Sequence, residues 1–360
     1  MRVRKILLPY LQALLAAVLF GASAPLAKLL LGEVDAIPMA GFLYLGSGLG
    51  ALLLLGVEHL RHNGREVEAR LTRSEMPWLA GAILAGGVAA PIILLLSLQQ
   101  TPASTASLLL NFETVATTLI AVVAFKEAVD RRVLWAIGLI TLASVLLSWS
   151  SGGWGVSLGA LGVVAACFLW GLDNNFTRHI SGKNPLTIVT VKGLSAGTFS
   201  LLLGLVLGKS MPSLAGALWT MLLGAFSYGL SIQLFILAMR NLGAARTSAL
   251  FGAAPFVGAA LSVVLLKEIP QGLFWLSLPV MLVGAWLMLS ERHGHVHVHE
   301  AVGHIHAHTH PEEHHEHAHD TDLPLGYARH SHLHIHDALA HEHDHTPDLH
   351  HRHTHENINP

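Results

Sequence analysis

Glu113 stands in the middle of an apolar run, Ala103 to Phe125, where an ionised carboxylate is costly unless it is paired, hydrated or protonated. A group so placed can take up and release a proton, or hold a polar ligand; the plainer reading is a neutral acid hydrogen-bonded within a bundle. Asp173, Asn174 and Asn175 interrupt a second apolar run, and Lys192 sits at similar depth in a third. An Asp173 to Lys192 ion pair is expected, serving either as a gate or ligand site or as a structural pair that neutralises itself. Tyr228, Ser231 and Gln233 offer neutral hydrogen bonds from a single run, with packing roles equally open. Pro91, Pro255 and Pro279 interrupt apolar runs and free backbone carbonyls, which either line a solute path or kink a helix for packing. Lys28 and Arg178 read as cations snorkelling to the interface.

A different chemistry occupies the end of the chain. His293, His295, His297 and His299 alternate with other residues, as do His304, His306, His308 and His310, then His330, His332, His334 and His336, and finally His341, His343 and His345. Neutral imidazole favours Zn(II), Ni(II), Co(II) and Cu(II), and the interleaved Asp and Glu add charge and further ligands. Weak, multiple, exchanging sites are expected in a segment that is disordered without metal, since it has few large apolar residues to bury. Two stretches, His315 to His319 and His341 to His345, match the metalloprotease pattern H-E-x-x-H. Both are discounted, because that pattern works on a stable helix beside a buried site.

Other chemistry is missing. There is no G-x-x-x-x-G-K-[ST] phosphate loop for direct ATP coupling, and no catalytic set assembles within the apolar runs, so the chain does not read as an enzyme. The one cysteine, Cys167, allows no intramolecular disulfide and reads as a packing residue. No cofactor is required, although the tail invites bound metal, and no nucleic-acid partner is indicated.

The elements that must position these groups follow from composition. Hydrophobic residues make up 52% of the chain against 12% charged, with mean hydropathy +0.53, which is too apolar for a soluble protein of 360 residues. The average hides a split: residues 1–290 carry a net charge of +7 and the remaining tail −9. A helix needs roughly 20 apolar residues to cross the bilayer. Ten such runs are predicted, near Leu7 to Leu31, Pro38 to Val57, Trp78 to Leu98, Ala103 to Phe125, Val133 to Trp149, Ser157 to Phe176, Leu186 to Leu207, Leu214 to Met239, Ala245 to Leu266 and Leu273 to Ser290. Arg2, Arg4 and Lys5 before an apolar run resemble a signal peptide, but Pro25 after Ala22-Ser23-Ala24 argues against cleavage, so the segment reads as a retained first helix. The Arg-rich loops, with Arg61, Arg65, Arg70, Arg73, Arg131, Arg132, Arg178, Lys183, Arg240 and Arg292, share one side. That side should be cytoplasmic, placing both termini and the tail inside the cell. The expected setting is the plasma (inner) membrane, with the lipid bilayer as first partner and a homodimer compatible with the sequence.

The chain also repeats. Phe20-Gly21 matches Trp170-Gly171, with Lys28 and Arg178 following at equal distance; Pro38, Gly46 and Gly50 match Pro185, Gly193 and Gly197; Trp78, Ala103, Ser107, Leu109 and Lys126-Glu127 match Trp219, Ala244, Ser248, Leu250 and Lys267-Glu268. Each half has an odd number of spans, so the second crosses the membrane in the opposite sense. Inverted halves rocking about a midplane site suit alternating access.

With Phe20-Gly21-Ala22, Asn111-Phe112-Glu113, Trp170 to Asn175, Leu242 to Thr247 and Ala254-Pro255-Phe256, residues Leu7 to Ser290 resemble the drug/metabolite transporter superfamily, EamA type. The resemblance implies an all-α membrane protein with a first five-helix repeat over 1–150 and a second over 151–290, exporting small solutes; composition adds a disordered histidine-rich cytoplasmic tail over 291–360. The reading is a secondary active exporter of a small solute, a metabolite or, given the tail, a divalent transition-metal ion. Glu113-Thr114 replaces the proline motif that span nine has as Ala254-Pro255, so Glu113 is a subfamily feature. The alternative is a membrane-anchored metal sensor or buffer whose helices serve to hold the tail.

Overall fold

The computed structural model describes residues 2–61, 71–125, 131–149, 157–180, 183–242, 247, 250–270 and 272–289, with four strands beyond them. Ten helical spans are present. Eight are long and apolar enough to cross a membrane, and two are shorter, Ala254–Leu266 and the helix beginning at Leu273. Several spans are segmented. The first runs as Arg2–Gly21 and then Ser23–Leu30, the fourth as Ala103–Leu109 and then Phe112–Phe125. The third joins Met76–Ala82 to Ala90–Leu98 through a π-helical stretch, Ile83–Ala89, and the eighth joins Leu214–Gly224 to Ser231–Leu242 through another, Ala225–Leu230. The two π-helical stretches occupy repeat-related positions, and such turns concentrate at functional sites.

In the second half the starts of successive spans are set by side-chain caps. Ser157 accepts from the Ala160 N–H at 3.3 Å, and Ser213 from Gly216 at 3.1 Å. Asn184 accepts from Leu186 at 2.9 Å, with Pro185 opening the helix.

Packing joins the halves more than it separates them. Spans two and seven lie together, span one packs against spans eight and nine, span six against spans three and four, and span five against span ten. Small residues permit this, because without a hydrophobic drive between helices in lipid, close backbone approach supplies the dispersion energy. A Cβ on Gly48 would fall 2.7 Å from the Leu194 nitrogen and one on Gly193 2.6 Å from Gly48 Cα, so neither residue can carry a side chain at this crossing. Ala, Ser and Gly fill the interior, while Leu53, Trp135, Val206, Trp219, Val264 and Trp286 stand exposed on the outside, where lipid replaces water.

Beyond the bundle are β1 (His293–His299), β2 (Val302–His308), β3 (His330–His336) and β4 (Leu339–His345). β1 pairs antiparallel with β4, and β2 with β3. Over much of these strands His alternates with other residues, a period-two pattern. His310 and the stretch His315 to His319 lie outside the described residues, and the H-E-x-x-H match at His341 falls on a strand.

Candidate functional site

The site starts from a break in a helix. Span four is interrupted at Leu110 and Asn111, where Asn111 Nδ2 donates to the Leu108 carbonyl at 3.0 Å and Thr114 Oγ1 to the Asn111 carbonyl at 2.7 Å. Glu113 consequently lies in the first turn of Phe112–Phe125, where the positive end of the helix dipole favours a carboxylate. The repeat-related break in span nine has Pro255 in the first turn of Ala254–Leu266. The two halves thus build the same discontinuity with different chemistry.

Span six brings the partners. Asn174 Nδ2 donates to Glu113 Oε1 at 2.8 Å and is 3.1 Å from Thr117 Oγ1, and Asn175 Nδ2 donates to the Thr117 carbonyl at 3.1 Å and to Gly171 at 2.8 Å. Gly171 makes this crossing close, since a Cβ there would meet the Thr117 nitrogen at 2.9 Å. Asp173, on the buried side of the same helix, accepts from Thr177 Oγ1 at 3.0 Å and pairs with Lys192 of span seven. The expected ion pair is therefore formed. Asn174 is exposed and Glu113 and Lys192 are half-buried, so one side of this polar cluster remains open.

A second layer surrounds it. The π-helical turn of span three leaves the Gly86 carbonyl free to accept from Tyr44 Oη at 2.6 Å and from Trp170 Nε1 at 3.1 Å. Tyr44 stacks on Tyr228 with centroids 5.9 Å apart, Tyr228 meets the edge of Phe20 at 5.9 Å, and Phe20 leads to Phe251 at 5.3 Å and on to Phe235. Glu113 lies within electrostatic reach of Tyr44, Tyr228, Asp173 and Lys192. Together these groups give one carboxylate with hydrogen-bond partners, one neutralised ion pair and a row of aromatic rings.

Not every predicted residue joins. Pro255 lies near span one, where Gly21 packs on the Ala254 carbonyl, and Gln233 follows Tyr228 along span eight. Among the described residues neither bonds to the Glu113 cluster. Lys28, expected at the interface, donates to the Thr101 carbonyl and lies 4.0 Å from Glu268, an acid of the other half. Cys167 is buried with Sγ 3.6 Å from the Leu109 carbonyl, as a packing residue. Tyr44, Thr117 and Gly86 were missed. Trp170 and Phe20 were noticed only as repeat markers, although a repeated aromatic before glycine was the available signal.

Comparison with known proteins agrees with this architecture. The pattern of the EamA-like transporter family matches residues 7–149 and again 157–290. An uncharacterized transporter of Methanothermobacter thermautotrophicus is 29% identical over 302 residues, spanning 78% of this chain and 85% of its own. A solved crystal structure at 18% identity shares the fold with TM-score 0.56 over 77% of this chain and 94% of its own.

Proposed function

Because the chain belongs to the EamA-like transporter family, we propose that it is a secondary active exporter of a small organic solute, working through Glu113. The observation that carries this is the 2.8 Å bond from Asn174 to Glu113. It joins the first half to the second at a broken helix, and its open side leaves room for a competing ligand. A solute amine or hydroxyl can replace Asn174 as the partner of the carboxylate. A proton can do the same by neutralising it, and this competition couples the two. Relative movement of spans four and six makes and breaks the contact in each cycle.

The aromatic row beside the carboxylate suits an organic body. The arginine-rich loops support an inner-membrane orientation with both termini cytoplasmic.

Proteoliposomes carrying a pH-sensitive dye, challenged with a panel of amines, polyols, amino acids and Ni(II), Co(II) and Zn(II), should show solute-dependent proton movement for an organic compound. Glu113→Gln should reduce that movement by about a hundredfold or more, the lower end of the range for loss of a positioned proton-transferring group. A variant that still couples normally would overturn the role of Glu113, and a response to metal alone would overturn the organic cargo.

A further inference from the structure

The charges around Glu113 leave one of them unbalanced. Lys192 is within reach of Glu113 but is taken by Asp173, and Lys28 is held at the Thr101 carbonyl beside Glu268. The hydrogen-bond partner of Glu113 is neutral, since Asn174 donates to it at 2.8 Å and turns also toward Thr117 Oγ1 at 3.1 Å. Once ionised, Glu113 therefore sets the sign of the cluster: a single negative charge with no counter-ion of its own among the described residues.

Beside that charge, rings from three spans meet. Tyr44 of span two lies on Tyr228 of span eight with centroids 5.9 Å apart and planes 29° apart, and Phe20 of span one stands at 81° to Tyr228, also at 5.9 Å. Phe20 and Tyr228 thus make a corner. Both are half-buried, whereas Tyr44 is buried and fixed by its bond to the Gly86 carbonyl at 2.6 Å. Trp170 donates to that same carbonyl one helical turn before Asn174, which ties the corner to the carboxylate through span six. Glu113 is in electrostatic reach of both tyrosines.

Resting on the reading of Glu113 as the anchor of the solute, we propose that the solute is an organic monocation, an ammonium on an aromatic or alkyl body, held by the Glu113 carboxylate and the rings of Phe20 and Tyr228. Charge selects this class. A monocation leaves the cluster neutral, a neutral solute leaves the carboxylate uncompensated, and an anion doubles the negative charge in an interior where unpaired ions are expensive. A zwitterion satisfies Glu113 but brings a carboxylate of its own, and Lys192 and Lys28 are already engaged by Asp173 and Glu268. The rings add a second selection. An aromatic face is the negative side of the ring quadrupole and attracts a cation within about 6 Å, most strongly where water is excluded, and alkylated ammonium ions are the ligands that aromatic corners suit best. The same rings offer an apolar body its packing surface, so one corner serves both ends of the solute.

The test is a set of solutes matched in shape and different in charge: phenethylamine, phenethyl alcohol, hydrocinnamate and phenylalanine, with hexylamine and hexanol as the alkyl pair. Calorimetric binding to the purified full-length protein should favour each amine over its isosteres by about tenfold or more, as expected for a hydrogen bond to a charged group. Glu113→Gln should erase that preference. Phe20→Leu and Tyr228→Leu should weaken the amines about threefold to thirtyfold, the reach of a cation–π contact, and Tyr228→Phe, which keeps the ring, should restore most of the loss. Thermal melts confirm that each variant is folded. Isosteres binding as well as the amines, or amines that do not bind, would overturn the cation. An alcohol or amino acid that moves protons through Glu113 in proteoliposomes would do the same while leaving the exporter reading intact; proton movement indifferent to Glu113 would overturn that reading itself.

Discussion

At the scale of single residues, the site depends on what glycine permits. The Gly86 carbonyl accepts from Tyr44 and Trp170, and its α-carbon lies so close to Asp173 that an added methyl would run into the carboxylate. Gly86→Ala should therefore disturb the Asp173–Lys192 pair and destabilise the protein by about 1–3 kcal/mol, the usual cost of overpacking. Gly56→Ala and Gly138→Ala, which have nothing within 4 Å of the added Cβ, should leave the thermal midpoint unchanged or slightly raised, as alanine favours the helix. Melting curves in detergent decide this, and equal melting of all three variants would refute the steric account. The same crowding explains why Asp173 and Lys192 were visible from sequence. Two charges in apolar runs are conspicuous, and each needs the other. Gly86 was invisible because its need for a missing side chain is set by Asp173, 87 positions away in the chain and on another span.

At the scale of elements, breaks in helices position the chemistry. Lys267 ends Ala254–Leu266 in the left-handed conformation, φ 53°, uncommon for a residue with a side chain. That turn sends Glu268 to the start of span four, where its carboxylate accepts from the Ala103 and Ser104 N–H groups at 2.7 and 2.8 Å and from Ser104 Oγ at 2.7 Å. With Lys28 beside it, this carboxylate fastens both halves at one membrane face. On the other face Lys183 and Glu75 pair at 3.1 Å, and Trp78 stacks on His179. Glu268→Gln should loosen the first fastening by about 1–3 kcal/mol, the range for hydrogen bonds to a charged group. A cysteine placed at Thr101 should then react faster with a soluble maleimide, and an unchanged rate would show that the contact holds nothing closed.

Spans and repeats were legible because apolar length and loop charge are written locally. The helix breaks at Asn111 and the two π-helical turns were not, because a shift in backbone hydrogen bonding leaves no distinctive composition. The partner of Lys28 was hidden for a related reason: Glu268 lies at the far end of the helical chain.

At the scale of the whole molecule, the halves are repeats in sequence but are interleaved in space. Span one seats against spans eight and nine, and span six against spans three and four. Residues 1–150 and 151–360 expressed separately should each be unstable, and expressed together they should restore a membrane-inserted complex. A stable, monodisperse first half would show that the crossed contacts are dispensable.

The crossed arrangement also sets an order of events during synthesis. Glu113 enters the membrane well before Asn174, its hydrogen-bond partner, exists; the two are 61 residues apart. At translation rates of about 5–20 residues per second, that interval is roughly 3–12 s. For those seconds the carboxylate must remain protonated, hydrated or sheltered by the insertion machinery. The carboxylate proposed to exchange a proton in the finished protein is thus also a burden on the unfinished one.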